Sequence, residues 1–223
     1  MEISLSRRYV AITVLFIAVA FLAYGQSLQN DFVHFDDNYL VFENPAIQTI
    51  TPASLKFIFS SYDPELYIPL TFLSYQIDHL IGGLNPMIFH LTSLILHTFN
   101  ALFVAWIVLQ LYKRRWVAVL LGLLFLVHPL NTETVVWVSG RKDVLSAFFF
   151  LLSLCTYLHG KKVNSRKWLK GSILAFALGL LAKVMVATLP LVLLLIDWRN
   201  GRKIDKDVLR EKVPYFLLSA VFI

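Results

Sequence analysis

Trp168–Trp198, WLKGSILAFALGLLAKVMVATLPLVLLLIDW, is a long apolar run interrupted near its middle by Lys183. It can form one long tilted helix or a tight hairpin turning near that lysine. One helix would put the basic cluster Lys161–Lys170 and the cluster Arg199–Lys212 on opposite faces of a membrane. A hairpin puts both on the cytoplasmic face, where short loops concentrate Lys and Arg. A lysine at the bilayer centre also costs roughly 2.5–3.5 kcal/mol, whereas at a turn it reaches water. The pattern therefore predicts a hairpin with Lys183 outside and Pro190 bending the sixth span.

The composition supports a membrane setting. Of 223 residues, 58% are hydrophobic and only 15% are charged, against about 25% charged in a soluble domain. The mean hydropathy is +0.69. The net charge of +6 comes from short basic clusters between apolar runs, a topogenic pattern that argues against nucleic acid as a partner. The single cysteine, Cys155, rules out an intrachain disulfide and reads as a packing residue.

Outward from the hairpin, the other spans follow. Arg7 and Arg8 hold the start of a first span, Tyr9–Tyr24, in the cytoplasm. Ala23-Tyr24-Gly25 is a poor small-x-small cleavage site, so an uncleaved helix is expected. Residues 25–86 form a long external loop. In it, Thr51-Pro52 opens a short helix through Phe59. Leu70, Leu73, Ile77, Leu80 and Ile81 form an apolar stripe, with Thr71, Ser74 and Asp78 off it. This is an amphipathic helix, lying on the membrane surface or packed on a core.

A second span, Met87–Tyr112, ends at Lys113-Arg114-Arg115. It carries His90, His97 and Asn100 on one face. His97 fits a helix–helix hydrogen bond better than ligation, whereas for His90, nearer the outer end, both readings stand. The third span, Trp116–Leu130, is roughly 22 Å long, short for a core of about 30 Å. The following external segment is therefore expected to dip below the lipid surface. A fourth span covers Val144–His159. The last apolar run, from Val213 to Ile223, looks like the start of a seventh span, so the chain reads as an N-terminal piece of a longer protein.

This topology places Asp36, Asp37, His90, His128, Glu133, Arg141, Lys142, Asp143 and Lys183 on the external face. Adjacent carboxylates can bind a divalent cation or deprotonate a hydroxyl, or form a polar turn. Arg or Lys can hold a departing phosphate. Each group also has a structural reading. His128 before Pro129 can cap a helix end. Glu133 and Arg141 can form an ion pair. Asp143 suits an N-cap for the fourth span. Lys183 can snorkel from its turn. The hairpin leaves four of the 20 Lys and Arg outside: Lys56, Arg141, Lys142 and Lys183.

Phe32–Gln48, FVHFDDNYLVFENPAIQ, resembles the first-loop signature of GT-C glycosyltransferases related to the transmembrane, TPR-containing O-mannosyltransferases. Tyr67–Leu102, His128–Leu154, Leu180–Lys183 and Val186–Trp198 agree with it. His128-Pro129, Thr132-Glu133, Gly140-Arg141 and Asp143 fall in the family's register. The match resembles bacterial members more closely, which often end in TPR arrays. Two departures stand out: Ile68 occupies a position where the family often has Arg, and Val184 follows Lys183 where Glu or Pro is common.

The resemblance implies an all-α, polytopic GT-C-like helix bundle over residues 1–223, with six spans and a truncated seventh. It implies transfer of a sugar from a polyprenyl-phosphate donor to a hydroxyl on a protein or glycan, on the non-cytoplasmic face. Asp37, or second Asp36, is then the favoured base, with a divalent cation possible at the pair. His90, His128, Glu133, Arg141, Lys142 and Lys183 are the substrate-binding candidates. The expected location is a bacterial inner membrane, or the endoplasmic reticulum membrane in a eukaryote. A non-catalytic scaffold that keeps the fold, and a carrier of anionic or lipid-linked substrates, are the alternatives.

Overall fold

A computed structural model of the chain describes residues 2–60 and 67–223. Within the predicted external loop, residues 61–66 lie outside the described residues. The regular structure is all helical, with no strand among the described residues.

Helix α1 (Glu2–Tyr24) is followed by a polar loop containing one wide helical turn, Asn38–Phe42. Two short helices follow, α2 (Pro45–Gln48) and α3 (Pro52–Ser60). The predicted start of α3 is as expected: the Thr51 hydroxyl accepts the Ser54 N–H at 3.1 Å.

Helix α4 (Pro69–Gly82) fits the amphipathic prediction with an instructive orientation. Its polar face is the buried one. Thr71 donates to the carbonyl of Ala182, Tyr75 to Val138, and Gln76 to Ala46 and Thr49. The apolar residues Ile77, Leu80 and Ile81 are left exposed. Of the two readings of the stripe, this arrangement suits a helix that turns its apolar side to lipid.

Helix α5 (Pro86–Tyr112) begins at an Asn85 cap and ends at Lys113, whose φ of 58° is left-handed. Helix α6 (Arg115–Leu126) has only 12 residues, roughly 18 Å. The chain then bends by 47° into Pro129–Val136, which contains α7 (Thr132–Val136). The third apolar segment is thus shorter than predicted and runs into a broken, re-entrant-like piece. Gly122 lets α6 approach its neighbours: a Cβ there would lie 2.8 Å from Ala105 and from Phe16.

Helix α8 (Arg141–Lys162) packs along α9 (Arg166–Ala182). The helix stops at Lys183, and α10 (Leu189–Arg199) returns toward the end where α8 finishes, because Asp197 accepts from Tyr157. The predicted hairpin is therefore present. Pro190 does not bend the middle of a span, however. It sits in the first turn of α10, where its missing N–H costs nothing. Helix α11 (Lys206–Phe222) opens with the Asp205 side chain capping Asp207 and Val208, well before the apolar run.

Among the described residues, three helices are long and apolar enough to cross a membrane, or four if the bent pair forms one span. Helices α9 and α10, with 17 and 11 residues, are shorter than a straight crossing needs. The bundle has two chemically distinct ends. At one, Arg199 reaches Leu111, Lys161 reaches Glu211 and Lys162 reaches Gln110. At the other, Asp36 meets Lys142 and Asp143 meets Lys183.

Candidate active site

Five consecutive residues, Ser139–Asp143, organise the second end. The three-residue turn Val138–Gly140 carries the chain from α7 into α8. A Cβ at Gly140 would lie 2.5 Å from the Thr134 carbonyl oxygen, so this tight junction requires glycine. The successive side chains around it reach in different directions, so each engages a different segment.

Ser139 engages the first loop. Its backbone N–H donates to Asp37 Oδ1 at 2.9 Å, and its hydroxyl donates to the same oxygen. Asp37 Oδ2 accepts the Val33 N–H at 2.9 Å. Asp37 is fully buried. The base favoured by the sequence is thus a carboxylate with both oxygens engaged, pinning the loop to the α7–α8 junction.

Arg141 is also fully buried. It forms an ion pair with Asp78 at 2.8 Å. Its Nε donates to Ser93 at 2.8 Å, its Nη1 to Ser74 at 3.4 Å, and its Nη2 to the Phe89 carbonyl. Its guanidinium carbon lies 5.3 Å from the centre of the Tyr75 ring. Expected at a donor phosphate, Arg141 instead braces α4, α5 and α8. It pairs with Asp78 rather than with Glu133. Burial pushes the Tyr75 phenol well above its ordinary value, so it remains a neutral donor to Val138.

The next two residues reach more accessible ground. Lys142 Nζ lies 3.5 Å from Asp36 Oδ2 and 5.8 Å from the centre of the Trp137 ring. The Asp36 side chain keeps 37% of its exposure, so it is the accessible member of the carboxylate pair. Asp143 is in the first turn of α8, where it pairs with Lys183 at 2.5 Å rather than capping the helix. Lys183 is thereby held by a specific partner, not merely free to snorkel.

The histidines separate by role. His97 Nε2 bonds the Leu126 carbonyl at 3.0 Å, and Asn100 donates to Val144 at 3.0 Å, joining helices as expected. His90, for which both readings stood, is 2% exposed. The first loop covers it, with Phe32 packed on the adjacent Phe89 at 5.4 Å between ring centres. His128 accepts the Leu130 N–H at 3.3 Å and caps the turn after α6. Glu133 is exposed on α7 and lines an open cleft of about 710 Å³ with Asp31, Val33, Thr132 and Trp137.

The sequence did not single out Asp78, Ser139 or Asp31 for these positions. The signal for Asp78 was its place off the apolar stripe of α4, with Thr71 and Ser74. Ile68, in the position where arginine is common, is 1% exposed within an apolar cluster that includes Leu40, Val41 and Phe72. Among the described residues, no group of three or more His, Cys, Asp or Glu side chains gathers to hold a metal ion.

The chain is similar to several named proteins. It is 35% identical over 146 residues to the mouse "Protein O-mannosyl-transferase TMTC1", covering 61% of this chain and 15% of that protein. It is 30% identical over 220 residues to the Drosophila melanogaster "Protein O-mannosyl-transferase Tmtc2", covering 92% of this chain and 23% of that protein. The human "Protein O-mannosyl-transferase TMTC3" is 33% identical over 187 residues, 78% of this chain and 19% of its own length. The chain thus spans less than a quarter of each of these relatives. No family model and no solved structure matches it.

Proposed function

We propose that this chain, a membrane-protein relative of the protein O-mannosyl-transferases, carries the transfer site of a glycosyltransferase. Its donor is a polyprenyl-phosphate sugar and its acceptor a protein hydroxyl, and the reaction occurs at the non-cytoplasmic membrane face. The observation that carries the reading is the partly exposed Asp36 carboxylate 3.5 Å from Lys142, which in turn lies 5.8 Å from the ring centre of Trp137, a wall of the adjacent cleft.

In this mechanism Asp36 takes the proton of the acceptor hydroxyl as the oxygen attacks the sugar's anomeric carbon. The bond from that carbon to the phosphate oxygen breaks, and its electron pair leaves with the phosphate. Lys142 and Lys183 supply cationic hydrogen-bond donors to that leaving group. Asp37 positions the loop that presents Asp36, and Arg141 fixes the helices beneath it. Glu133 and His128 flank the acceptor side. A divalent cation at the loop would have to use Asp36, because both Asp37 oxygens are already engaged.

The test is transfer of labelled mannose from a polyprenyl-phosphate donor, per unit of inserted protein. General-base help is worth about 10²–10⁴ in rate. Asp36→Asn should therefore lower transfer by about a hundredfold or more while leaving insertion unchanged. Full transfer by that variant would remove Asp36 from the mechanism. One observation favours a second reading, a non-catalytic scaffold: Ile68 supplies only apolar packing where an arginine is common in the family. Absence of transfer from any polyprenyl-phosphate sugar would support that reading.

A further inference from the structure

The end of the bundle opposite the candidate site contains an apolar crevice of about 630 Å³ between α1, α5, α6, α8 and α9. Phe103, Trp106, Val119 and Leu152 form part of its wall. Along α5 it runs from Leu109 to Phe99. Ten residues of helix rise roughly 15 Å, about half of a 30 Å hydrocarbon core. The crevice is thus about one leaflet deep, and three of its five walls, α1, α5 and α8, are long and apolar enough to cross a membrane.

Its mouth has the opposite character. Arg8, Arg115 and His159 line it, with the Trp168 ring set edge-on to His159 at 4.6 Å between centres. Both arginines are exposed, and neither has an ion-pair partner among the described residues. At the same end, Lys161 pairs with Glu211, and Arg202 with Asp197 and Glu211, whereas Arg7 and Arg114, next to the two arginines in sequence, have no ion-pair partner among the described residues and do not line the crevice. Two free guanidinium groups above an apolar slot match a molecule with an anionic head and a hydrocarbon tail.

We infer that this crevice binds an anionic phospholipid from the leaflet at the basic end of the bundle. The phosphate headgroup sits between Arg8 and Arg115, and one acyl chain runs along Trp106 toward Phe99. The site is separate from the Asp36–Lys142 region and does not depend on transfer activity.

The test uses the full chain in lipid nanodiscs, with Trp106 as its only tryptophan and the other four changed to Phe. A small fraction of lipid with brominated tails is added, carrying either an anionic or a zwitterionic headgroup. The anionic lipid should quench Trp106 preferentially, at roughly thirtyfold lower mole fraction, with about fivefold from each arginine. The Arg8→Ala/Arg115→Ala variant should quench alike with both lipids, whereas Arg8→Lys/Arg115→Lys should keep most of the preference. Equal quenching by both lipids in the parent overturns the inference. So does a preference that survives removal of both arginines. Displacement by equimolar polyprenyl phosphate, with no effect of equimolar anionic phospholipid, would also overturn it and assign the crevice to a polyprenyl lipid.

Discussion

Ion pairs at the second end divide sharply by burial. Asp78 and Arg141 are 2% and 0% exposed, whereas Asp36 and Lys142 keep 37% and 14%. Removing one partner of a buried pair leaves an uncompensated charge, at a cost of about 3–5 kcal/mol. A partly exposed pair contributes about 0–1 kcal/mol. Asp78→Ala should therefore sharply lower the denaturation midpoint of the detergent-solubilised protein, and Lys142→Ala should barely move it. Similar effects from both would mean that Arg141 is not the structural centre its contacts indicate. The same contrast explains why adjacent residues differ in role. Asp37 faces the Ser139 turn and is used up there, while Asp36 faces away and keeps a free edge.

Helices in this protein meet through closely fitted junctions, and at the α7–α8 junction the close neighbour is backbone. A methyl at residue 140 would sit 2.5 Å from a backbone oxygen, which cannot swing aside as a side chain can. Forced overpacking typically costs about 1–3 kcal/mol. Gly140→Ala should lower thermal stability by about that much, and should reduce transfer by moving Ser139 and Lys142 together. An unchanged melting curve would show that the turn is looser than its geometry. At the other end, Glu211 ties α11 to α8 through Lys161 and to the preceding loop through Arg202. Burial alone would raise its carboxyl, but hydrogen bonds and charges from Arg202 and Lys161 overcome that and hold it at about 2. A carboxylate whose value is lowered on folding stabilises the fold above its unfolded value of 4.5. That contribution fades as pH falls from about 4.5 toward 2. Glu211→Gln should therefore flatten the acid limb of the stability curve in this window and leave its slope near neutrality unchanged. An identical acid limb in parent and variant would contradict the assigned role.

For the molecule as a whole, the features legible in sequence were those set by local chemistry and charge balance. Apolar runs marked the helices, and the basic clusters implied that the chain turns back at Lys183. Contacts between distant segments were not legible. Nothing local distinguishes Asp36 from Asp37, because their difference arises only when the loop meets Ser139. Arg141 resembled a phosphate ligand because its partner Asp78 lies in a separate helix of the first loop. The two ends of the bundle give the sharpest whole-molecule test. If the hairpin α9–α10 crosses the bilayer, residues near Lys183 and residues near Asn164 lie on opposite faces. In a Cys155→Ser background, Phe35→Cys and Met185→Cys should react with an impermeant thiol reagent from the non-cytoplasmic side. Arg114→Cys, Asn164→Cys and Lys203→Cys should react only after permeabilisation. Phe35 and Met185 are well exposed in the fold, so failure to label them would reflect membrane position rather than burial. Equal labelling at residues 164 and 185 in sealed vesicles would mean that α9 does not cross. The Asp143–Lys183 pair and the Lys161–Glu211 pair would then share one aqueous face, and the proposed separation of transfer site from lipid crevice would collapse with it.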